Sequence, residues 1–152
     1  MEILVMGPDD ADKVTAAAEL FDNAPTREAT SRFLTDSNHH LLIAYEGGVP
    51  VGFVSGVEVT HPDKGTEMFL YELAVAEDRR RRGIGRRLVE RLAGIARARD
   101  CYGMWVLTDQ TNVAALTTYE RAGASREGDP QVLLSWEFNP TTAQRPAAGT
   151  EF

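Results

Sequence analysis

A chain of 152 residues with a formal net charge of −7 is long enough to bury a continuous core without disulfides or a metal site. Its hydrophobic fraction of 43% is ordinary, and no apolar run approaches the roughly 20 residues that span a bilayer, which excludes a membrane protein. Because Cys101 is the single cysteine and the N-terminus has no pattern typical of an export signal, we expect a cytoplasmic protein.

The charges are unevenly distributed along the chain. Residues 79–99 contain nine of the 16 basic residues and one acidic residue, Glu90. The remaining sequence has seven basic and 22 acidic residues, a net charge of −15. This pattern predicts that the arginine-rich segment binds an anion, whereas the rest of the surface attracts a cation.

The first part of the chain predicts a strand, two helices and a β-hairpin. EILVMG is typical of a short strand. DDADKVTAAAELFD and PTREATSRFLTDS each place apolar residues on one helical face, and the acids and the proline at their starts favour helix initiation. HLLIAYEGGVPVGFVSGVEV consists of two β-rich runs around the turn signal Glu46-Gly47-Gly48, which predicts the hairpin.

The second part of the chain alternates strands and helices. EMFLYELAVAE is apolar on nearly both faces and predicts a central strand, and the arginine-rich segment leads into an amphipathic helix. CYGMWVLT predicts a second buried strand, NVAALTTYERAGA a short helix ended by Gly123, and QVLLSWEF a half-buried strand. We therefore expect an α/β (α+β) domain over residues 1–138, in which helices cover a largely antiparallel sheet, and a flexible tail over residues 139–152.

The step from the predicted central strand to the next helix has the features of a phosphate site. Amides at a helix N-terminus have no intrahelical partners and lie at the positive end of the helix dipole. Gly83 and Gly85 would let the backbone approach a pyrophosphate without a Cβ between them. The segment lacks Gly-Lys-Ser/Thr, which excludes a Walker A loop, and has too few glycines for the dinucleotide fingerprint.

Arg80, Gly83 and Gly85 form the pattern Arg-x-x-Gly-x-Gly, which resembles the acyl-coenzyme A signature of the GNAT superfamily of N-acetyltransferases. About thirty residues later, NVAALTTYERAGA is similar to that family's Asn-x-x-Ala helix with a tyrosine. The resemblance covers roughly residues 3–138. It implies a GNAT fold, with a mixed, mostly antiparallel sheet of six to seven strands flanked by about four helices, and acetyl-coenzyme A as co-substrate without a metal.

The resemblance also implies which residues hold the coenzyme. In the family, a bulge splays the strand before the phosphate turn, and its unpaired amides bind the acetyl carbonyl and the pantetheine arm. The implied coenzyme-binding residues are Leu73, Ala74 and Val75 on that strand; Arg80, Arg81, Arg82, Gly83, Ile84, Gly85 and Arg86 in the turn; and Asn112, Ala115 and Tyr119 on the later helix.

Acetyl transfer to an amine needs a base for the amine and an acid for the leaving thiolate. The family match assigns the acid to Tyr119, although without that match a tyrosine on an apolar helix face is more often part of the core. Glu72 and Asp109 are the candidate bases, because Glu72 interrupts an apolar strand and Asp109 follows a strand end. Asp109 would serve equally well as a helix cap. The three histidines read as ordinary surface residues.

A narrower resemblance concerns the acceptor. FLYELAVAEDRRRRGIGRRLVERLAGIARARDCYGMWVLTD resembles the GNAT-type aminoglycoside 3-N-acetyltransferases, which share the Tyr-Asp/Glu-Leu-Ala-Val strand and an acidic residue matching Asp109. The charge pattern independently favours a polycationic sugar in a cleft lined by Glu67, Glu72 and Asp109. The resemblance implies that the 3-amino group of an aminoglycoside antibiotic is acetylated. The family's longer acidic loop after Asp109 is replaced here by the neutral QTNV, which weakens this implication. The resemblance also allows for a homodimer, since family members are often dimers.

Three alternatives remain open at this point. The acceptor could be another cationic amine, such as a polyamine, a lysine side chain or a peptide N-terminus. The domain could sense acetyl-coenzyme A without catalysis. The arginines could form a solvated helix face or contact nucleic acid, but the net charge of −15 outside the patch opposes a long polyanion, so we expect no nucleic-acid partner.

Overall fold

A computed structural model describes residues 1–138 and shows one five-stranded sheet. Its strands lie in chain order, and the first three pairings are antiparallel whereas the last is parallel. The strands are β1 (Glu2–Val5), β2 (His39–Glu46), β3 (Val49–His61), β4 (Gly65–Val75) and β5 (Met104–Trp105). β2 and β3 form the hairpin that the sequence predicted, and β3 and β4 form a second, longer one.

Four α-helices flank the sheet. They are α1 (Ala11–Ala16), α2 (Arg27–Thr35), α3 (Ile84–Ala98) and α4 (Val113–Arg121), with single 3₁₀ turns at Ala18–Leu20 and Glu77–Arg79. Thr26 begins α2, since its side chain accepts a hydrogen bond from the amide of Ala29 at 3.2 Å. Asn112 caps α4 in the same way, with a bond of 3.0 Å from the amide of Ala115. None of the helices within residues 1–138 is long and apolar enough to cross a membrane.

The sheet is packed on both faces. On one face, Leu88 and Leu92 of α3 are fully buried against β3 and β4, and Tyr119 of α4 belongs to the same cluster. On the other face, α1 and α2 cover a smaller cluster that contains Phe53 of β3 and Ala74 of β4. Truncation to alanine of a leucine buried as deeply as those of α3 typically lowers the free energy of unfolding by about 2–5 kcal/mol. The α3 face therefore anchors β4 and the turn that follows it.

β4 contains a β-bulge. Ser55 of β3 pairs with Glu72, whereas the next residue, Gly56, pairs with Leu70, so Tyr71 is an extra residue in β4. The bulge places Tyr71 and Glu72 on the face that α1 and α2 cover. The side chains of Leu70 and Leu73, on either side of it, both pack into the α3 cluster.

The predicted α+β class, the mixed and mostly antiparallel sheet and the four flanking helices are confirmed. The predicted number of six to seven strands is wrong, because the described residues form five. Two predicted strands differ from the structure, since one is absent and the other is shorter than expected, and the predicted tail over residues 139–152 lies outside the described residues.

The first of these is QVLLSWEF, which forms no strand. Its backbone is irregular, and Val132, Leu134, Trp136 and Phe138 are 72–92% exposed. Alternation of apolar and polar residues predicts a strand only if another surface covers the apolar face. No element among residues 1–138 covers this one.

The second is CYGMWVLT, of which only Met104 and Trp105 pair with β4. Trp105 is 38% exposed and Leu107 is 60% exposed, so the predicted burial is also wrong. The segment lies at the edge of the sheet, and an edge position leaves one side of the strand open to solvent.

Candidate active site

The candidate site begins where the pairing of β4 with β5 ends. Only Met68 and Phe69 of β4 have partners in β5, and β4 continues to Val75 without a strand on this side among the described residues. The amide of Ala76 donates to Val51 of β3 at 2.9 Å, so by alternation the amides of Leu73 and Val75 point to the opposite, open edge. This edge therefore presents two backbone donors beside the bulge.

The turn after β4 leads directly into the N-terminus of α3. Arg81 and Gly83 both adopt positive φ angles, of 60° and 79°. The first intrahelical bond of α3 runs from the amide of Arg87 to the carbonyl of Gly83 at 3.1 Å. The amides of Ile84, Gly85 and Arg86 precede that bond, and such amides together with the helix dipole favour an anion. The predicted phosphate turn thus has the geometry that the sequence indicated.

Gly85 lies where α3, α4 and β4 meet. A Cβ at this position would lie 3.4 Å from Cγ2 of Thr118 and 3.6 Å from side-chain atoms of Leu73 and Val75, which are ordinary van der Waals distances. The first turn of α3 therefore packs directly against both α4 and the end of β4.

The arginines of the turn have acidic and backbone partners that the sequence did not reveal. Arg79 and Arg82 lie 3.0 and 3.3 Å from the carboxylate of Glu46, at the end of β2, and Arg86 pairs with Glu90 at 2.7 Å. Arg80 donates from Nε to the carbonyl of Val75 at 3.2 Å, which ties the turn to the end of β4. Part of the predicted positive charge is thus neutralised within the fold.

The residues of α4 that the sequence singled out share one buried face. Ala115 is fully buried and Tyr119 is 5% exposed, in the same cluster as Leu73 and Val75. Burial raises the pKa of the Tyr119 phenol, which therefore remains protonated and able to donate at neutral pH. Oδ1 of Asn112 accepts the capping hydrogen bond of α4, so the side-chain NH2 group is the part of Asn112 that would donate to a ligand.

Glu72 lies in a cavity of about 220 Å³ between β4, β3 and α2. Burial, followed by the negative charge of Asp22, raises the pKa of the Glu72 carboxyl to about 7. A carboxyl with such a pKa can accept a proton near neutral pH, which suits a general base. The cavity is otherwise lined by Val14, Phe21, Asn23, Pro25, Thr26, Ala29, Thr30, Phe33, Leu34, Leu41, Phe53, Ser55 and Tyr71.

The other two predicted acidic residues do not line this cavity. Asp109 accepts hydrogen bonds from Oγ1 of Thr111 at 2.6 Å and from its amide at 2.7 Å, and these bonds lower the pKa of the Asp109 carboxyl. Glu67 is hydrogen-bonded to the phenol of Tyr102 and raises the pKa of that phenol. The structure thus places Glu67, Glu72 and Asp109 in three different surroundings instead of one acidic wall.

Sequence reasoning missed two features near the site. It did not find the cavity around Glu72, because the family resemblance implied a bulge in this strand but no local pattern placed that bulge at Tyr71. It also took the histidines for surface residues, whereas the His40 side chain is 11% exposed and bonded to Glu58 at 2.7 Å, with Arg99 on the same carboxylate. In residues 1–138, no cluster of His, Cys, Asp and Glu side chains could hold a metal ion.

An open strand edge followed by a helix N-terminus with unpaired first-turn amides, with a buried tyrosine on one face of the sheet and a carboxyl of raised pKa on the other, matches the arrangement that the resemblance to the acyl-coenzyme A-binding GNAT superfamily implies. The sequence pattern of the acetyltransferase (GNAT) family matches residues 11–124, and the chain belongs to this family. GNAT acetyltransferases use acetyl-coenzyme A, and the open amides of β4 and α3 fit such a ligand. No curated protein matches the chain significantly in sequence.

Solved structures show the same fold. The aminoglycoside acetyltransferase HMB0005, from an uncultured soil metagenomic sample, is 28% identical with a TM-score of 0.72, over 88% of this chain and 98% of that one. The aminoglycoside acetyltransferase meta-AAC0020, also from soil and solved with sisomicin, is 18% identical with a TM-score of 0.79, over 90% and 96%. Aminoglycoside N-acetyltransferase AAC(6′)-Iy in complex with coenzyme A is 19% identical with a TM-score of 0.70, over 91% and 95%.

Proposed function

We propose that this protein transfers the acetyl group of acetyl-coenzyme A to an amine within a ternary complex, and that an aminoglycoside is an acceptor, at its 3-amino group. The observation that carries the proposal is the position of Glu72. Its carboxyl, with a pKa of about 7, lies in a cavity on the same bulged strand that presents the open amides of Leu73 and Val75.

The proposed chemistry divides among residues on either side of β4. Glu72 takes a proton from the ammonium form of the acceptor, and the neutral nitrogen forms a bond with the acetyl carbon while the carbon–sulfur bond breaks. Amides at the open edge of β4 stabilise the negative charge on the carbonyl oxygen. Tyr119 donates its proton to the departing thiolate, as the family resemblance implies, and the second proton lost from the nitrogen as the amide forms restores the phenol. The first-turn amides of α3 hold the phosphates.

Three observations support an aminoglycoside acceptor. The strand Tyr-Glu-Leu-Ala-Val and Asp109 resemble the 3-N-acetyltransferases of the GNAT type, and HMB0005 is an aminoglycoside acetyltransferase. The net charge of −15 outside the arginine-rich segment would attract a polycation. We therefore propose that the enzyme acts in the cytoplasm and confers aminoglycoside resistance.

The deciding experiment measures free thiol released from acetyl-coenzyme A by the purified protein, with gentamicin, kanamycin, spermidine and a lysine peptide as parallel acceptors. Release with aminoglycosides, lost in Glu72→Gln and kept in Glu67→Gln, supports the proposal. NMR of the product then gives the acetylated position. Release with spermidine or the peptide alone would support the proposed acetyltransferase activity but show that the acceptor is not an aminoglycoside. Binding of the coenzyme without release for any amine would point to a sensor.

A further inference from the structure

We propose a further activity that rests on the proposed acetyl transfer: the cavity at Glu72 accepts primary amines carried by a compact aromatic or branched aliphatic body of about one ring. Such an amine would place its nitrogen at Glu72 and its apolar body between α2 and β3. Three properties of the cavity support this class of acceptor, namely the chemistry of its wall, its size and its continuation along β4.

The wall of the cavity is almost wholly apolar. Phe21 and Phe53 stack with ring centroids 4.2 Å apart, and Phe33 and Leu41 also line the cavity. Of the described residues that line it, Glu72 is the one that carries a charge. Asp22, whose charge reaches Glu72, is exposed and outside the lining. One carboxylate in an apolar wall matches one ammonium on an apolar body, whereas a polyamine would bury further ammonium groups against that wall.

The size of the cavity points to the same class. An apolar cavity of about 150 Å³ can hold a benzene molecule. The 220 Å³ present here would therefore accommodate one six-membered ring and a short aminoalkyl chain. An antibiotic of several sugar rings could enter with one ring only, so the two classes of acceptor would use the same carboxyl while burying different amounts of surface.

Aromatic residues continue from the cavity along the sheet. Tyr71 is 55% exposed at the cavity and meets Phe69 edge to face, with centroids 5.8 Å apart. Phe69 in turn stacks on Trp105 of β5 at 4.2 Å. This row offers ring faces to the approaching ammonium by cation–π attraction and to a substituent that extends beyond the cavity.

The reaction balances without any other reagent. The ammonium proton passes to Glu72, and the neutral nitrogen bonds to the acetyl carbon while the carbon–sulfur bond breaks. Tyr119 protonates the thiolate that leaves, and the second proton lost from the nitrogen as the amide forms restores the phenol. The product is a neutral amide beside a protonated Glu72, so no ion pair holds it, and Glu72 returns its proton to solvent after the amide departs.

The test compares kcat/KM for 2-phenylethylamine and for ethylamine, which differ by the ring alone, at saturating acetyl-coenzyme A. Because burying a ring favours binding, we expect a ratio of about ten to one hundred. Ala29→Leu, which enlarges an exposed side chain of the cavity lining on α2, should reduce this ratio at least fivefold, because the added bulk competes with the ring more than with the ethyl group. Ser31→Leu, on the same helix and outside the cavity lining, is the matched control and should leave the ratio unchanged.

The possible results separate this inference from the proposed function. Equal kcat/KM values for the two amines, or equal losses of both in Ala29→Leu, would overturn the inference. Turnover of aminoglycosides without turnover of 2-phenylethylamine would overturn it and leave the proposed function standing. If no amine is acetylated, the proposed function fails, and calorimetric titration of 2-phenylethylamine decides for the cavity: binding that Ala29→Leu abolishes supports it, and no binding overturns it.

Discussion

Tyr71 and Glu72 are consecutive in the chain, yet both line the same cavity. In a regular strand, neighbouring side chains point to opposite faces of the sheet. The bulge in β4 interrupts this alternation, so both side chains lie on the same face. Glu72, which we propose as the general base, therefore has the ring of Tyr71 beside it. The carboxylate of Asp22 is also near enough to raise the pKa of Glu72. The predictions below begin with this carboxyl.

We predict that kcat/KM rises with pH through an apparent pKa near 7, because only the ionised Glu72 accepts a proton from the acceptor. Thiol release measured between about pH 4 and 8.5, with an acceptor of known amine pKa, gives this value. In Glu72→Gln we expect a loss of about 10²–10⁴-fold and no rising limb near pH 7. A wild-type limb near pH 4.5 instead would show that burial does not govern this group.

Ionisation of the Glu72 carboxyl should lower the free energy of unfolding at high pH. Its folded pKa lies above the ordinary value of 4.5, so the folded state binds the proton more tightly, and its contribution to stability falls as pH rises from about 4.5 to 7. Glu72→Gln should therefore raise the free energy of unfolding at pH 8 by on the order of 1–2 kcal/mol. Residual contact with solvent keeps this below the full value of the shift. The gain should vanish near pH 4.5 in urea titrations.

Tyr119→Phe should lower kcat and leave coenzyme binding nearly intact. The substitution removes only the hydroxyl from a buried ring that packs in the α3 cluster, so we expect a change in stability below about 1.5 kcal/mol. Loss of the acid should reduce turnover about 10²–10⁴-fold. Stopped-flow thiol release and calorimetric titration of coenzyme A separate the two effects. Unchanged turnover would remove Tyr119 from the mechanism, and an intact ligand response without any turnover in the wild type would identify a sensor.

Gly83→Ala tests the phosphate turn. The positive φ of 79° at Gly83 costs an alanine about 1 kcal/mol, and relief of that strain should displace the amides that follow. We expect weaker coenzyme A binding by calorimetry, by about tenfold. Gly94→Ala on the same helix is the control, because its Cβ would meet nothing within 4 Å and alanine favours a helix by about 0.5–1 kcal/mol. Equal effects of the two variants on binding would contradict the assignment.

The exposed apolar side chains of residues 131–138 lead us to expect that the protein self-associates. Trp136 and Phe138 are 75% and 92% exposed, and large apolar side chains gathered in one exposed segment favour an interface. We expect sedimentation velocity to show dimers at micromolar concentration, and Trp136→Ser to shift them toward monomer. Leu133→Ser, at an alternate position of the same segment, should have the smaller effect. A wild-type protein that stays monomeric at all concentrations would exclude the homodimer.

Much of the fold could be predicted because its signals are local. Apolar periodicity marked α3, the turn signal at Gly47 marked the β2–β3 hairpin, and Gly83 marked the helix start after β4. The sequence did not reveal contacts that join distant positions. Glu46 neutralises Arg79 from 33 residues away, and no local pattern indicates that pairing.

The site was predicted less completely for a similar reason. The run EMFLYELAVAE is apolar on nearly every residue, so it carries no alternation from which the bulge at Tyr71 could be located. Without the bulge, neither the cavity nor its aromatic wall could be foreseen. The length of β5 depends on neighbours in space, which the sequence of an edge strand does not encode.

Without Tyr71, β4 would have the regular alternation of a β-strand. Met68, Leu70, Leu73 and Val75 then alternate without interruption, and all four are the residues that pack into the α3 cluster. The strand is thus a regular core strand with a single inserted residue. A deletion of Tyr71 should therefore leave a folded protein in which Glu72 still faces α1 and α2 but lacks the neighbouring ring, so a single inserted residue adds an aromatic wall to the cavity without any redesign of the core.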